Sequence, residues 1–293
     1  MRVVFIGTGE IGVPTLRWLI GTREHELVGV VTQPDKPVGR KQLVTPPPIK
    51  TALVDCDVPV FQPQRIKSDE AVAALRELAP DVIVVMAYGQ ILPRSVLEIP
   101  RVACLNLHAS LLPRHRGAAP IQATIIAGDN ETGITVMYMD EGVDTGDILL
   151  QSRVDIAPDE TGGSLHDKLA QVAPDALREA LQQLAAGTAP RTVQDSALAS
   201  YAQKLEREDG EIDWSEPAAL IERKVRAFDP WPGASTIVNG RKLKIFRSAV
   251  DERGPLVFRA ADDALTVLEA QLEGGRRMSA EELLRGHPWL AKR

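Results

Sequence analysis

Apolar residues along this chain fall into short continuous runs separated by polar, Gly-rich and Pro-rich stretches. The runs at 3–6, 27–32, 81–86, 102–107 and 134–139 read as buried strands, since each is brief, unbroken and bounded by turn residues. A shorter strand is expected at 59–61 and another at 148–156. Between them the spacing turns helical, predicting helices that run on to Ile20 and over 49–55, 69–78, 121–127 and 164–186. Pro174 lies inside the last of these and predicts a break there. Alternating strands and helices give an α/β unit built on a mostly parallel sheet.

The pattern changes at Gly187-Thr188-Ala189-Pro190. The next stretch reads as a linker over the surface, and beyond it one helix is expected at about 217–227. Short strand candidates follow at 235–238, 243–248, 256–258 and 265–269, which suggest a small β-barrel. The expected division is a domain at 1–189, a linker at 190–205 and a second domain at 206–293.

Composition narrows the class. With 293 residues, 44% hydrophobic and 25% charged, the chain suits a soluble protein of one or two domains. The net charge of -6 announces no nucleic-acid partner, so only local basic patches would serve one. Cys56 and Cys104 are too few for a disulfide framework. No apolar run approaches a membrane span, and the chain opens directly into a strand. A cytoplasmic enzyme, monomeric and free of membrane, is the expectation.

Candidate chemistry gathers at the end of the strand 102–107. Asn106 and His108 are two positions apart, so they share a face. Open α/β sheets carry their chemistry at such strand ends. Downstream lies the acidic turn Gly142-Val143-Asp144-Thr145-Gly146-Asp147, and spacing alone does not choose between its aspartates. An amide, an imidazole and a carboxylate suit transfer of an acyl group between two substrates, with no nucleophile from the protein. No His, Cys or carboxylate set has metal-ligand spacing.

Other stretches stay open between two readings. Gly7-Thr8-Gly9-Glu10-Ile11-Gly12 has the dinucleotide-binding form after a strand, which would make an NAD-dependent oxidoreductase. The acidic residue that motif wants is late, at Asp35 in a Pro-rich loop, and a tight turn packing helix on sheet is the preferred reading. Residues 33–48 are too rich in Pro and Gly for regular structure; with Lys36, Arg40, Lys41 and Lys50 they form either a clamp for an anionic substrate or a solvated loop. Residues 87–93, with Tyr88, Gly89 and Ile91, are a pocket wall for a flat ring or a plain connection. Arg241, Lys242, Lys244 and Arg247 cluster in the C-terminal part.

Asn106-x-His108, Ser110-Leu111-Leu112-Pro113, Arg114-x-Arg116-Gly117-Ala118-Ala119-Pro120 and Val143-Asp144-Thr145-Gly146-Asp147 together resemble the signature of formyltransferases that use 10-formyltetrahydrofolate. Thr32-Gln33-Pro34-Asp35-Lys36-Pro37 and Phe228-Asp229-Pro230-Trp231-Pro232-Gly233 resemble the branch of that family acting on methionyl initiator tRNA. The likeness spans nearly the whole chain. Gly9 stands where the family more usually has Pro, and the segment after Val250 is short for it. The resemblance implies a Rossmann-like domain followed by an OB-like barrel, with Asn106, His108 and Asp144 as the catalytic set. It also implies that Ser110, Leu111, Leu112 and Pro113 lie at the folate, with no metal. Arg40, Lys41 and the cluster Arg241, Lys242, Lys244 and Arg247 would then meet tRNA. A relative acting on an amino sugar nucleotide would share the catalytic set, as would a deformylating hydrolase; a non-enzymatic RNA-binding module would leave it unexplained.

Overall fold

A strand that is apolar on both faces must be covered on both. Val3, Val4, Phe5 and Ile6 meet that condition and have no solvent exposure in the computed structural model, which describes residues 1–39, 41–54 and 56–291. The chain forms two units. One comprises 1–116, 132–154 and 166–201; the other comprises 117–131, 155–165 and the chain from 202 onward.

In chain order the strands of the first part are β1 (Arg2–Gly7), β2 (Glu26–Val31), β3 (Lys36–Val38), β4 (Leu43–Thr45), β5 (Val60–Phe61), β6 (Val82–Met86), β7 (Ala103–His108), β8 (Arg116–Gly117), β9 (Glu131–Tyr138) and β10 (Ile148–Asp155). Seven of them make one sheet in the order β10-β9-β7-β6-β1-β2-β5. The run from β5 to β7 is parallel, and β9 is antiparallel to β7. The chain leaves β1 for β2 and β5, then returns on the other side to β6 and β7. The C-terminal ends of β1, β6 and β7 therefore collect on the edge where open sheets bind ligands.

Two expectations are corrected in this unit. Residues 33–48 are not wholly irregular, since β3 and β4 pair as an antiparallel hairpin with Lys36 opposite Thr45 and Val38 opposite Leu43. Pro37 is tolerated because a two-stranded ribbon leaves one edge of each strand unpaired. The helix Gly162–Ala186 runs through Pro174 without a break. Leu169, Ala170, Ala173, Ala176, Leu177, Ala180 and Leu181 are all buried, and this packing outweighs the one hydrogen bond that proline removes.

After β11 (Tyr201–Ala202), the second unit carries β12 (Ser235–Val238), β13 (Arg241–Val250), β14 (Val257–Arg259), β15 (Ala264–Leu272) and β16 (Met278–Ser279). They pair antiparallel in the order β12-β13-β15-β14, with β16 also on β15. Among the described residues this sheet does not close, so the barrel expected here is an open antiparallel sheet. Helix Ala218–Ala227 covers it with Ile221 and Val225, which join Leu243, Ile245, Leu265 and Val267 in one core. Trp214 stacks on Phe258 at 4.6 Å and donates its indole N–H to Thr236. A second helix, Ala280–Gly286, adds Leu283 to that core; Ser279 and Glu282 close a capping box at its start. No helix of the described residues is long and apolar enough to cross a membrane.

Candidate active site

β7 ends with Asn106 and His108 on one side of the strand, and the turn after β9 brings Asp144 to both. The Asn106 amide donates to Asp144 Oδ1 at 3.2 Å, and His108 Nδ1 lies 3.5 Å from Asp144 Oδ2. His108 Nε2 is 2.9 Å from the His115 carbonyl oxygen. A carbonyl only accepts, so Nε2 carries a hydrogen and Nδ1 is the nitrogen that gains or loses a proton. His108 is buried, while Asn106 is half-buried and lies nearer solvent. Asp147 turns elsewhere, with its carboxylate 3.6 Å from Arg191. Geometry thus selects Asp144 for the imidazole.

The acidic turn is built around Asp140, whose Oδ1 accepts from the Gly142 N–H at 3.0 Å and the Thr145 hydroxyl at 2.8 Å. A Cβ at Gly142 would overlap the Thr145 hydroxyl, and one at Gly146 would overlap the Tyr138 carbonyl. Asp144 itself has a left-handed backbone, φ 52. A residue that leaves no signature in the sequence holds the turn from behind. Gln194, in the presumed linker, is buried and donates to the carbonyls of Asp144 at 2.9 Å and Gly146 at 2.7 Å. Its own carbonyl accepts from Arg116 Nε and Nη2 at 3.0 and 2.8 Å. A polar side chain in a loop gives no periodic cue, and this contact spans about fifty residues.

The glycine-rich turn after β1 is spent on packing. The N–H groups of Thr8 and Gly9 both donate to the Ala87 carbonyl, and a Cβ at Gly7 would press on Phe5 and Met86. Those donors are the ones a pyrophosphate would need. Asp35, the late acidic residue, is held by Gln62 and Lys50, which push its carboxyl below the usual carboxylate range. The tight-turn reading accounts for the motif.

Residues 1–181 match the formyl transferase family, and residues 204–288 match the formyl transferase C-terminal domain. This chain belongs to the formyl transferase family. A methionyl-tRNA formyltransferase of Geobacter metallireducens is 46% identical over 298 residues, covering 98% of this chain and 96% of that one. The fold resembles the solved methionyl-tRNA formyltransferase from Clostridium thermocellum, with TM-score 0.61 at 16% identity over 96% of this chain and all of that one. It also resembles HypX from Aquifex aeolicus in complex with tetrahydrofolic acid, with TM-score 0.64 at 18% identity; 97% of this chain matches 47% of that longer protein.

The family's formyl donor needs surface for a flat ring, and the residues expected there divide by burial. Ser110 is fully buried and donates to the Arg114 carbonyl; Leu112 is buried between Thr135 and Gln151. Leu111 and Pro113 are half-exposed. The Tyr88 phenol lies in the core, and burial pushes it up to about 12. The Tyr88 carbonyl accepts from Thr8 and Gln33. Gly89, at φ 84, has nothing within 4 Å of where a Cβ would stand, and Ile91 is 80% exposed. Leu111, Pro113, Gly89 and Ile91 are thus open to solvent, whereas Ser110, Leu112 and Tyr88 are buried.

Of the residues expected at tRNA, Arg40 lies outside the described residues. Lys41 is exposed in the β3–β4 turn. Arg241, Lys242, Lys244 and Arg247 lie along β13, where Arg241 donates to the Glu273 carbonyl and Arg247 stands opposite Glu269. Glu269 is also bound by Arg277, which holds its carboxyl below the usual range.

Proposed function

We infer that this chain transfers the formyl group of 10-formyltetrahydrofolate to the α-amino group of methionyl initiator tRNA. The reading rests on one observation above others: Asn106, His108 and Asp144 meet at the end of β7 in a formyl transferase whose curated relatives, about 46% identical over 98% of the chain, carry that activity in their names. The sugar N-formyltransferases of similar fold are 16 to 18% identical to this chain.

When bound, 10-formyltetrahydrofolate supplies the formyl carbon. The chain's own residues place charge around it. Asn106 gives one amide N–H to Asp144 and has a second to give to the formyl oxygen as negative charge develops there. His108 is anchored through Nε2, so a proton taken from the attacking amine is held at Nδ1, beside Asp144. That carboxylate, 3.5 Å from Nδ1, orients the ring from the side opposite its Nε2 anchor. The same proton is then available to the departing folate nitrogen. The exposed hairpin β3–β4 and the basic strand β13 serve the tRNA, with the C-terminal unit acting as an OB-like module for its backbone.

Incubation with 10-formyltetrahydrofolate and methionyl initiator tRNA, followed by base hydrolysis and mass spectrometry, should yield N-formylmethionine. Formylation of a deoxynucleotide-linked amino sugar instead, with none on tRNA, would refute the reading.

A further inference from the structure

The stretch 191–194 grips the acidic turn at three points. The Arg191 guanidinium lies 3.7 Å above the Tyr138 ring and reaches Asp147. Thr192 and Ile148 exchange both backbone hydrogen bonds, at 2.8 and 2.9 Å. Gln194 then spends its whole amide: two N–H groups on the carbonyls of Asp144 and Gly146, and its oxygen on Arg116.

We propose that Gln194 is a positioning residue for formyl transfer, which sets the separation between the His108 imidazole and the Asp144 carboxylate. The inference rests on the catalytic reading given above and adds the device that enforces it. Arg116 follows His115, whose carbonyl holds His108 Nε2. One end of Gln194 is therefore tied to the loop that fixes the imidazole. The other end is tied to the turn that presents the carboxylate.

Five physical points favour this role over simple loop packing. Only a primary amide donates twice and accepts on a separate atom, so the site discriminates Gln from Glu of the same size. Gln194 is 7% exposed and Arg116 3%, so water does not readily replace the lost bonds. The adjacent guanidinium also polarises the amide and strengthens its two donations. Asp144 sits at φ 52, a conformation that non-glycine residues keep only when their surroundings hold it. The imidazole–carboxylate distance of 3.5 Å is already at the outer limit of a hydrogen bond, so a small release of the turn disconnects the pair.

The test uses the full chain with Gln194→Met, Gln194→Glu and Asp144→Asn. Both Gln194 variants should lower kcat by roughly ten- to a hundredfold, the scale of a displacement near 1 Å. KM for each substrate should stay within about threefold, because the change acts on the reacting geometry rather than on binding. The pH profile of kcat should shift, and Gln194→Glu, which matches the parent's size, should not rescue it. Circular dichroism confirms that the variants are folded, and Gln194→Glu stands in if Gln194→Met does not fold. In the Asp144→Asn background, Gln194→Met should cost little more, since the pair it positions is already broken. An equal loss in both backgrounds, or a parent-like kcat and pH profile, would overturn the proposal. The failure modes separate cleanly. An active Asp144→Asn sinks the catalytic reading, whereas an impaired Asp144→Asn beside a normal Gln194→Met sinks only the positioning role.

Discussion

His108 has one nitrogen to offer, because the His115 carbonyl occupies the other. His108→Ala should therefore lower kcat by roughly a hundredfold or more, the usual scale for a placed acid–base group. Circular dichroism should show the fold retained. Asn106→Ala should act on kcat more than on KM, since its second N–H meets charge that exists only in the transition state; steady-state rates against both substrates separate the two. Cys104 gives a chemical check on the same strand. Burial pushes its thiol up to about 12, so iodoacetamide at pH 8 should leave it unmodified in the native protein while half-buried Cys56 reacts. Peptide mass spectrometry reads the difference. At this scale the sequence was informative where a period applied: spacing of two put Asn106 and His108 on one face. Spacing could not choose Asp144 over Asp147, and only the family resemblance pointed to Asp144, because that choice depends on a left-handed backbone and on Gln194, neither of which has a periodic signature.

Elements show where local signals compete with tertiary ones. The apolar strands announced themselves because strands covered on both faces must be apolar throughout. Pro174 misled because buried alanines and leucines on both sides keep the helix continuous. Pro37 and Gly39 suggested an irregular loop, although a two-stranded ribbon accepts both. The helix Ala280–Gly286 was missed, since one helix was expected in the C-terminal part; Ser279-x-x-Glu282 is a capping signature, but the helix is short and follows closely spaced strands. Ser279→Ala removes that cap and should cost about 1 kcal/mol, seen as a lower urea midpoint for the C-terminal unit. Gly146→Ala is a harsher change. Its methyl would overlap the Tyr138 carbonyl, so the acidic turn must move, and formylation should fall with little loss of secondary structure.

On the scale of the whole molecule, a net charge of -6 coexists with a basic strand. Binding of a polyanion responds to the local field, and on β13 that field is tempered by Glu269 and Glu273. Lys242→Ala with Lys244→Ala should weaken use of tRNA and flatten the salt dependence of the rate, while folate binding measured by fluorescence stays unchanged. Arg40→Ala with Lys41→Ala should do the same from the hairpin. A doubly substituted chain with the parent's salt response would remove either patch from the tRNA path. Within the stretch 190–205 expected as a linker, Gln194 is buried. Residues 187 and 188 are exposed and bond back to the carbonyls of Leu184 and Gln183 at the end of the preceding helix, so a peptide tag spliced in just after them should be carried without harm. Moved six residues on, the same tag would pry Gln194 from its seat. Protein engineers would meet a silent site and a lethal one within a single surface stretch.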